Sequence, residues 1–149
     1  MRAVCQRVRQ ASVTVNNEVV GEIGAGWLIL LGVGPDDDEA TVAWMVDRVV
    51  GLRVFDDEAG KMNRSASDIG AHFLVVSQFT LYADTSRGRR PGFTRAAAPS
   101  VAEPLVDRFA ALVRAHGFRV ETGRFGASMQ VGLVNDGPVT IVLSTDAWG

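Results

Sequence analysis

Val4, Val8, Val13 and Val15 alternate in part with polar residues along the first stretch of the chain, and Asn16-Asn17 follows as a turn signal. Val19-Val20 then opens a second apolar run, so the sequence predicts a β-hairpin at its start. After the Gly24-Ala25-Gly26 break, residues 27–33 are apolar enough for a buried strand. Pro35 and the acidic run Asp36-Asp37-Asp38-Glu39 suit the N-terminus of a helix, where carboxylates meet the positive end of the dipole. Val42, Met45, Val46, Val49 and Val50 recur at helical spacing up to Gly51, which predicts a first helix ending there.

Residues 52–55 predict a short strand and 56–67 a polar loop. A strand is expected over 72–82, with Phe73, Val75, Ser77, Phe79 and Leu81 on one face and His72, Leu74, Val76, Gln78 and Thr80 on the other. Both faces are largely apolar until Ser77, the pattern of a central strand whose last residues emerge at a site. A second helix follows Pro99-Ser100, with Leu105, Phe109, Leu112 and Val113 as its apolar stripe and Gly117 as its end. Ser100 and Glu103 have capping-box spacing, but Pro104 removes an early helical hydrogen bond, which favours a later start. Two closing strands are expected, at 128–134 and 139–144, and no internal repeat or linker divides the chain into more than one domain. The tail after Thr145, with Trp148, is expected to pack or to be disordered.

Composition narrows the function. The chain has 149 residues, 47% hydrophobic and 21% charged, which suits one domain with a real core. The longest apolar run, 27–34, is far below the ~20 residues a membrane-spanning helix needs. Arg2, Gln6, Arg7 and Arg9 stand where a signal peptide would be apolar, so a cytoplasmic place is expected. Cys5 is the only cysteine and His72 and His116 the only histidines; no disulfide, metal or cofactor is expected. A net charge of −2 speaks against coating nucleic acid through bulk electrostatics, but Arg87, Arg89, Arg90 and Arg95 crowd into one loop-like stretch.

Two segments invite chemistry: Ser77-Gln78-Phe79-Thr80-Leu81, and Asn135-Asp136-Gly137-Pro138-Val139-Thr140. A hydroxyl of Ser77 or Thr80 attacks an ester well only with a base beside it. On a regular strand His72 faces away from Ser77, and His116 ends a helix, where it complements the dipole. If strand pairing lapses at Gln78, Phe79 and Thr80, their backbone N–H groups are free to converge on a carbonyl oxygen, and one such donor is worth ~3 kcal/mol in a transition state. The plain alternative is the end of a buried strand. In the second segment Asp136-Gly137 between alternating apolar runs is a hairpin-turn signal, while Pro138 raises the possibility of a cis bond, which costs an X-Pro unit only about 0.5–1 kcal/mol.

Together these two segments resemble the signature motifs of D-aminoacyl-tRNA deacylases. The opening residues 3–15, the segment Leu52-Arg53-Val54-Phe55 and the run 123–134 also resemble that family, in the expected order, so nearly the whole chain is covered. The resemblance implies an α/β fold with a strongly curved, barrel-like sheet, two main helices and a symmetric homodimer. It implies that Gly137-Pro138 is cis and enters the partner subunit's pocket as a chirality filter, a rigid carbonyl standing where an L side chain must go. Such a filter cannot exclude glycine, so glycyl-tRNA is an expected second substrate. With Ser77, Gln78, Phe79 and Thr80 as the catalytic segment, the resemblance implies that the terminal ribose 2′-OH of the tRNA assists. Beside a tRNA-end site, Arg87, Arg89 and Arg90 become candidates for phosphate contacts; no membrane or DNA partner is expected. The alternatives are a related proofreading deacylase that accepts L residues and a non-catalytic tRNA-binding module.

Overall fold

A computed structural model describes residues 1–147. Trp148, and the expectation for the end of the tail, lie outside the described residues. The opening hairpin is present as β1 (Arg2–Val15) and β2 (Glu18–Ile23). Asn16 and Asn17 have φ of 50° and 63°, the left-handed pair that matches a two-residue turn to strand twist. β3 (Gly26–Gly32) then runs back along the first half of β1, and α1 (Glu39–Gly51) follows. Of the acidic run before α1, Asp38 is the cap: its carboxylate accepts the Thr41 N–H at 3.0 Å while the Thr41 hydroxyl accepts the Asp38 N–H at 3.1 Å.

Residues 52–67 depart from the expected strand and plain loop. Of the strand expected over 52–55 only Phe55 is extended, in β4 (Phe55–Asp56); the expected loop holds a second strand, β5 (Met62–Arg64), paired with β4, and the short helix α2 (Ala66–Ile69) follows. The turn between β4 and β5 is tied by Asp57, whose carboxylate accepts the N–H groups of Ala59 and Lys61. Ser65 and Asp68 cap α2 reciprocally. β6 (His72–Ser77) is central as expected, but it stops at Ser77, and Phe79–Tyr82 form a 3₁₀ turn instead of more strand. α3 (Pro99–Ala115) starts at Pro99, earlier than Pro104 suggested, and Ser100 with Glu103 is no capping box because the cap position is Ala98. Proline at the first helical position costs nothing, since that N–H is unpaired in any helix. Strand β7 (Arg119–Thr122), too short to stand out from the pattern, follows α3.

The two expected closing strands are one, β8 (Gln130–Ser144), and both its halves pair with β1. Asp136-Gly137 is therefore not a hairpin turn. From Gln6 opposite Thr140 to Val8 opposite Asn135, two steps along β1 face five along β8, so the motif is a bulge of extra residues thrown out of a continuous ladder.

The sheet runs β2-β1-β3-β6-β7, with β8 on the other edge of β1. β3, β6 and β7 are parallel, joined by crossovers that contain α1 and α3. The sheet curls until β2 lies against β6 and β7, nearly closing a barrel; a Cβ on Gly21 would stand 2.7 Å from the Thr122 carbonyl oxygen, so only glycine permits this approach. Alternation along β6 separates two cores. Phe73 and Val75 pack outward with Trp27, Ile29, Met45 and Phe109 beneath the two long helices, while Leu74 and Val76 pack inside the barrel with Val8, Val13 and Leu28. Each such side chain taken out of water contributes on the order of 1.5–3 kcal/mol, which fixes the register of β6 and hence where its end emerges.

Candidate active site

At the end of β6 the Gln78 N–H donates to the Leu31 carbonyl at 2.8 Å, so strand pairing lapses one residue later than expected. The 3₁₀ turn is closed by Leu81 N–H to Gln78 O at 3.3 Å and Ala83 N–H to Thr80 O at 3.1 Å. Its leading N–H groups, those of Phe79 and Thr80, have no partner among the described residues, as the start of any helical turn dictates. The Gln78 side-chain amide donates to the Thr80 hydroxyl, which occupies that oxygen.

Ser77, Gln78 and Phe79 line a cavity of about 630 Å³. Its walls are Ala98, Pro99 and Ala102 at the start of α3, Phe93 before it, and Phe125, Ala127 and Met129 in the β7–β8 connection. Phe79 is 55% exposed and meets Phe93 edge-on, with ring centroids 5.0 Å apart. No histidine approaches: His72 Nδ1 accepts the Gly24 N–H at 3.2 Å at the far end of β6, and His116 caps the C-terminus of α3.

Arg87, Arg89 and Arg90 sit exposed in a loop closed by two backbone hydrogen bonds between Asp84 and Gly92, each 2.8 Å. They form no ion pair among the described residues. Hydrogen bonds from Ser86, followed by the charges of Arg95 and Arg87, hold the Asp84 carboxyl below the usual carboxylate range, so the anchor of the loop stays ionised. The loop leads directly to Phe93 on the cavity wall.

The Gly137–Pro138 peptide is cis, with Gly137 at φ 133°. The bulge is held on several sides. Asn135 Oδ1 accepts the Val139 N–H at 2.9 Å, and Asn135 Nδ2 donates to the Thr140 hydroxyl at 3.2 Å. Arg7, buried in β1, donates through Nε to the Asp136 carbonyl at 2.9 Å and through Nη1 to the Val54 carbonyl at 2.7 Å and the Asp56 carboxylate at 3.2 Å. Arg9 pairs with the Asp136 carboxylate at 3.5 Å. Gly137 and Pro138 are exposed and do not line the cavity, so a single chain does not bring the two motifs together.

The pattern of the sequence alone did not mark Arg7 as a clamp, nor Arg2 and Asp146 as partners of the 3₁₀ turn. For Arg7 a signal existed. Ala3, Cys5 and Arg7 occupy the same face of β1, and a charge on an otherwise buried face needs fixed acceptors.

A barrel-like α/β fold with its two motifs is thus in place, and comparison with known proteins gives it a family. The family model described as D-Tyr-tRNA(Tyr) deacylase matches residues 4–144. A protein of Symbiobacterium thermophilum called D-aminoacyl-tRNA deacylase is 59% identical over 98% of this chain and 97% of its own length. A protein of the same name from a Roseiflexus species is 62% identical over 97% of this chain and 94% of its own. Among solved structures, the c-Myc DNA Unwinding Element Binding Protein superposes with a TM-score of 0.91 at 42% identity, covering 99% of this chain and all of that one. A probable eukaryotic D-amino acid tRNA deacylase, 21% identical and covering 95% of this chain and 97% of that one, shares the fold with a TM-score of 0.83. The chain belongs to the D-Tyr-tRNA(Tyr) deacylase family.

Proposed function

We propose that this chain is a D-aminoacyl-tRNA deacylase, hydrolysing the ester between a D-amino acid and the 3′ end of tRNA. The observation that carries the mechanism is the pair of unpartnered N–H groups of Phe79, which lines the cavity, and of Thr80, the next residue in the turn. Water attacks the ester carbonyl, whose oxygen gains charge, and two fixed donors stabilise it; each is worth on the order of 3 kcal/mol. The 3′-OH of the ribose leaves, and the neighbouring 2′-OH assists proton movement, so the protein's share is positioning and electrostatics. Ser77 and Gln78 hold the segment at the end of β6.

Selectivity comes from a second copy of the chain. The β8 bulge of one protomer enters the cavity of the other, and its Gly137 and Pro138 carbonyls occupy the space an L side chain would need. Leu133, Val134 and Val142, all on β8 and all exposed, support an interface along this strand. A site that rejects by exclusion admits glycine, so glycyl-tRNA is also cleaved. Arg87, Arg89 and Arg90 contact phosphates of the tRNA end. The substrate places the work in the cytoplasm, and among the described residues no helix is long and apolar enough to cross a membrane.

Release of amino acid from matched D-, L- and glycyl-tRNA tests the reading. D and glycyl esters are expected to turn over and L esters to survive. Cleavage of L esters as fast as D would favour the related L-accepting branch, and no cleavage of any ester would leave a binding module. A tRNA ending in 2′-deoxyadenosine should not be turned over; normal rates on it would remove the ribose-assisted step.

A further inference from the structure

Arg2, the first residue of β1, is 2% exposed, although an arginine is rarely tolerated in a core without fixed acceptors. Its Nη1 donates to the Leu81 carbonyl at 2.8 Å, its Nε to the Asp146 carboxylate at 3.1 Å and its Nη2 to the Ala147 carbonyl at 3.3 Å. The guanidinium also lies over the Tyr82 ring, 4.3 Å from its centroid, and the Tyr82 hydroxyl donates to the other oxygen of Asp146 at 3.1 Å. Leu81 and Tyr82 are the last two residues of the 3₁₀ turn whose first two carry the unpartnered N–H groups.

The turn is therefore gripped at both ends. Gln78 N–H is fixed to Leu31 of β3, and Leu81 O is fixed to Arg2 of β1. Between these anchors the turn lies directly on β3, because a Cβ on Gly32 would stand 3.0 Å from the Gln78 carbonyl oxygen and 3.1 Å from Leu81 Cβ. With the turn only four residues long, the direction of the Phe79 and Thr80 N–H bonds follows from where its two ends are held. A rigid fork of donors reaching several acceptors fixes orientation in a way a point charge cannot. An apolar side chain of similar volume would fill the space and leave the Leu81 carbonyl without this donor.

We infer that Arg2, acting through Leu81 and braced by Tyr82 and Asp146, is a positioning residue that aims the Phe79 and Thr80 N–H groups at the reacting carbonyl. The inference rests on reading those groups as the oxyanion donors. It predicts a loss in turnover, not in substrate binding, since only the transition state develops the charge they receive.

The test is Arg2→Met and Arg2→Lys in the full chain, with kcat and KM on a D-aminoacyl-tRNA and the backbone amide resonances of Phe79, Thr80 and Gly137. Arg2→Met is expected to lower kcat about tenfold or more with KM within about twofold, since small displacements of catalytic groups are costly. The Phe79 and Thr80 amides should shift while Gly137 stays. Arg2→Lys, which reaches one acceptor, should recover part of the rate. Shifted amides with an unchanged kcat would overturn the inference, and so would unmoved amides. Should Arg2→Met not fold, Tyr82→Phe keeps the ring and removes only the bond to Asp146; unchanged kcat and amides there would overturn it equally. The amide shifts need no substrate, so a wild-type chain that cleaves no D-aminoacyl ester would sink the proposed function without touching the measurement of the turn.

Discussion

Arg7 and Thr80 separate two kinds of importance. Arg7 ties the Asp136 and Val54 carbonyls together from a buried position, so Arg7→Met should leave both without their donor. Unfolding in urea is expected to show a loss of about 2–3 kcal/mol, as for other buried charged groups whose removal strands their partners. The same variant should cleave L-aminoacyl-tRNA faster relative to D, because the bulge is no longer clamped. Thr80, by contrast, contributes only its backbone N–H in the proposed mechanism, and its hydroxyl accepts from the Gln78 amide. Thr80→Ala should keep most of its activity, and a folded but dead variant would restore the hydroxyl as nucleophile. Asp146 gives a pH signature. Partial burial opposes its ionisation, but hydrogen bonds from Ser144, Arg2 and Tyr82 outweigh this and lower its pKa. A carboxylate with a depressed folded pKa stabilises above its unfolded value and loses that contribution as pH falls through the folded one. Asp146→Asn should therefore flatten the fall in melting temperature on the acid side, below about pH 4; an identical acid limb would contradict the pairing.

Among the elements, those with local causes could be read directly. The Asn16-Asn17 turn, the spacing of Val42, Met45, Val46 and Val49, and the two-faced burial of Phe73 to Val76 all follow from short-range pattern. The strand expected to reach residue 82 failed for a tertiary reason. Phe79 and Leu81 continue the alternation, but the chain turns because its end is drawn to Arg2 and packed on Gly32, neither of which is local. The hairpin signal at Asp136-Gly137 misled similarly, since both flanking segments pair with β1 more than a hundred residues away. The Asp84 to Gly92 loop permits a measurement at this scale. Changing Arg87, Arg89 and Arg90 together to Ala should weaken tRNA binding and reduce the slope of log affinity against log salt by roughly one for each phosphate the loop no longer neutralises. An unchanged slope would place the phosphates elsewhere.

For the molecule as a whole, the dominant feature is a separation. The segment at the end of β6 and the Gly137–Pro138 bulge lie on one chain but not at one cavity, which a single sequence could suggest only through family resemblance. If a second copy completes the site, β8 is the surface to disturb. Val142 is 57% exposed on β8, and Val142→Glu would set a charge into the proposed contact. Light scattering should then report a monomer, and that monomer should fail to distinguish D from L esters; a monomer that remains active and selective would refute the shared site.

Both flanks of the β8 bulge are held by the same long strand, each with its own register. The projecting residues can therefore change in number or identity without pulling the barrel out of alignment. If the bulge reads the substrate as proposed, its choice is a replaceable insert, free to be retuned while the frame that carries it stays as it is.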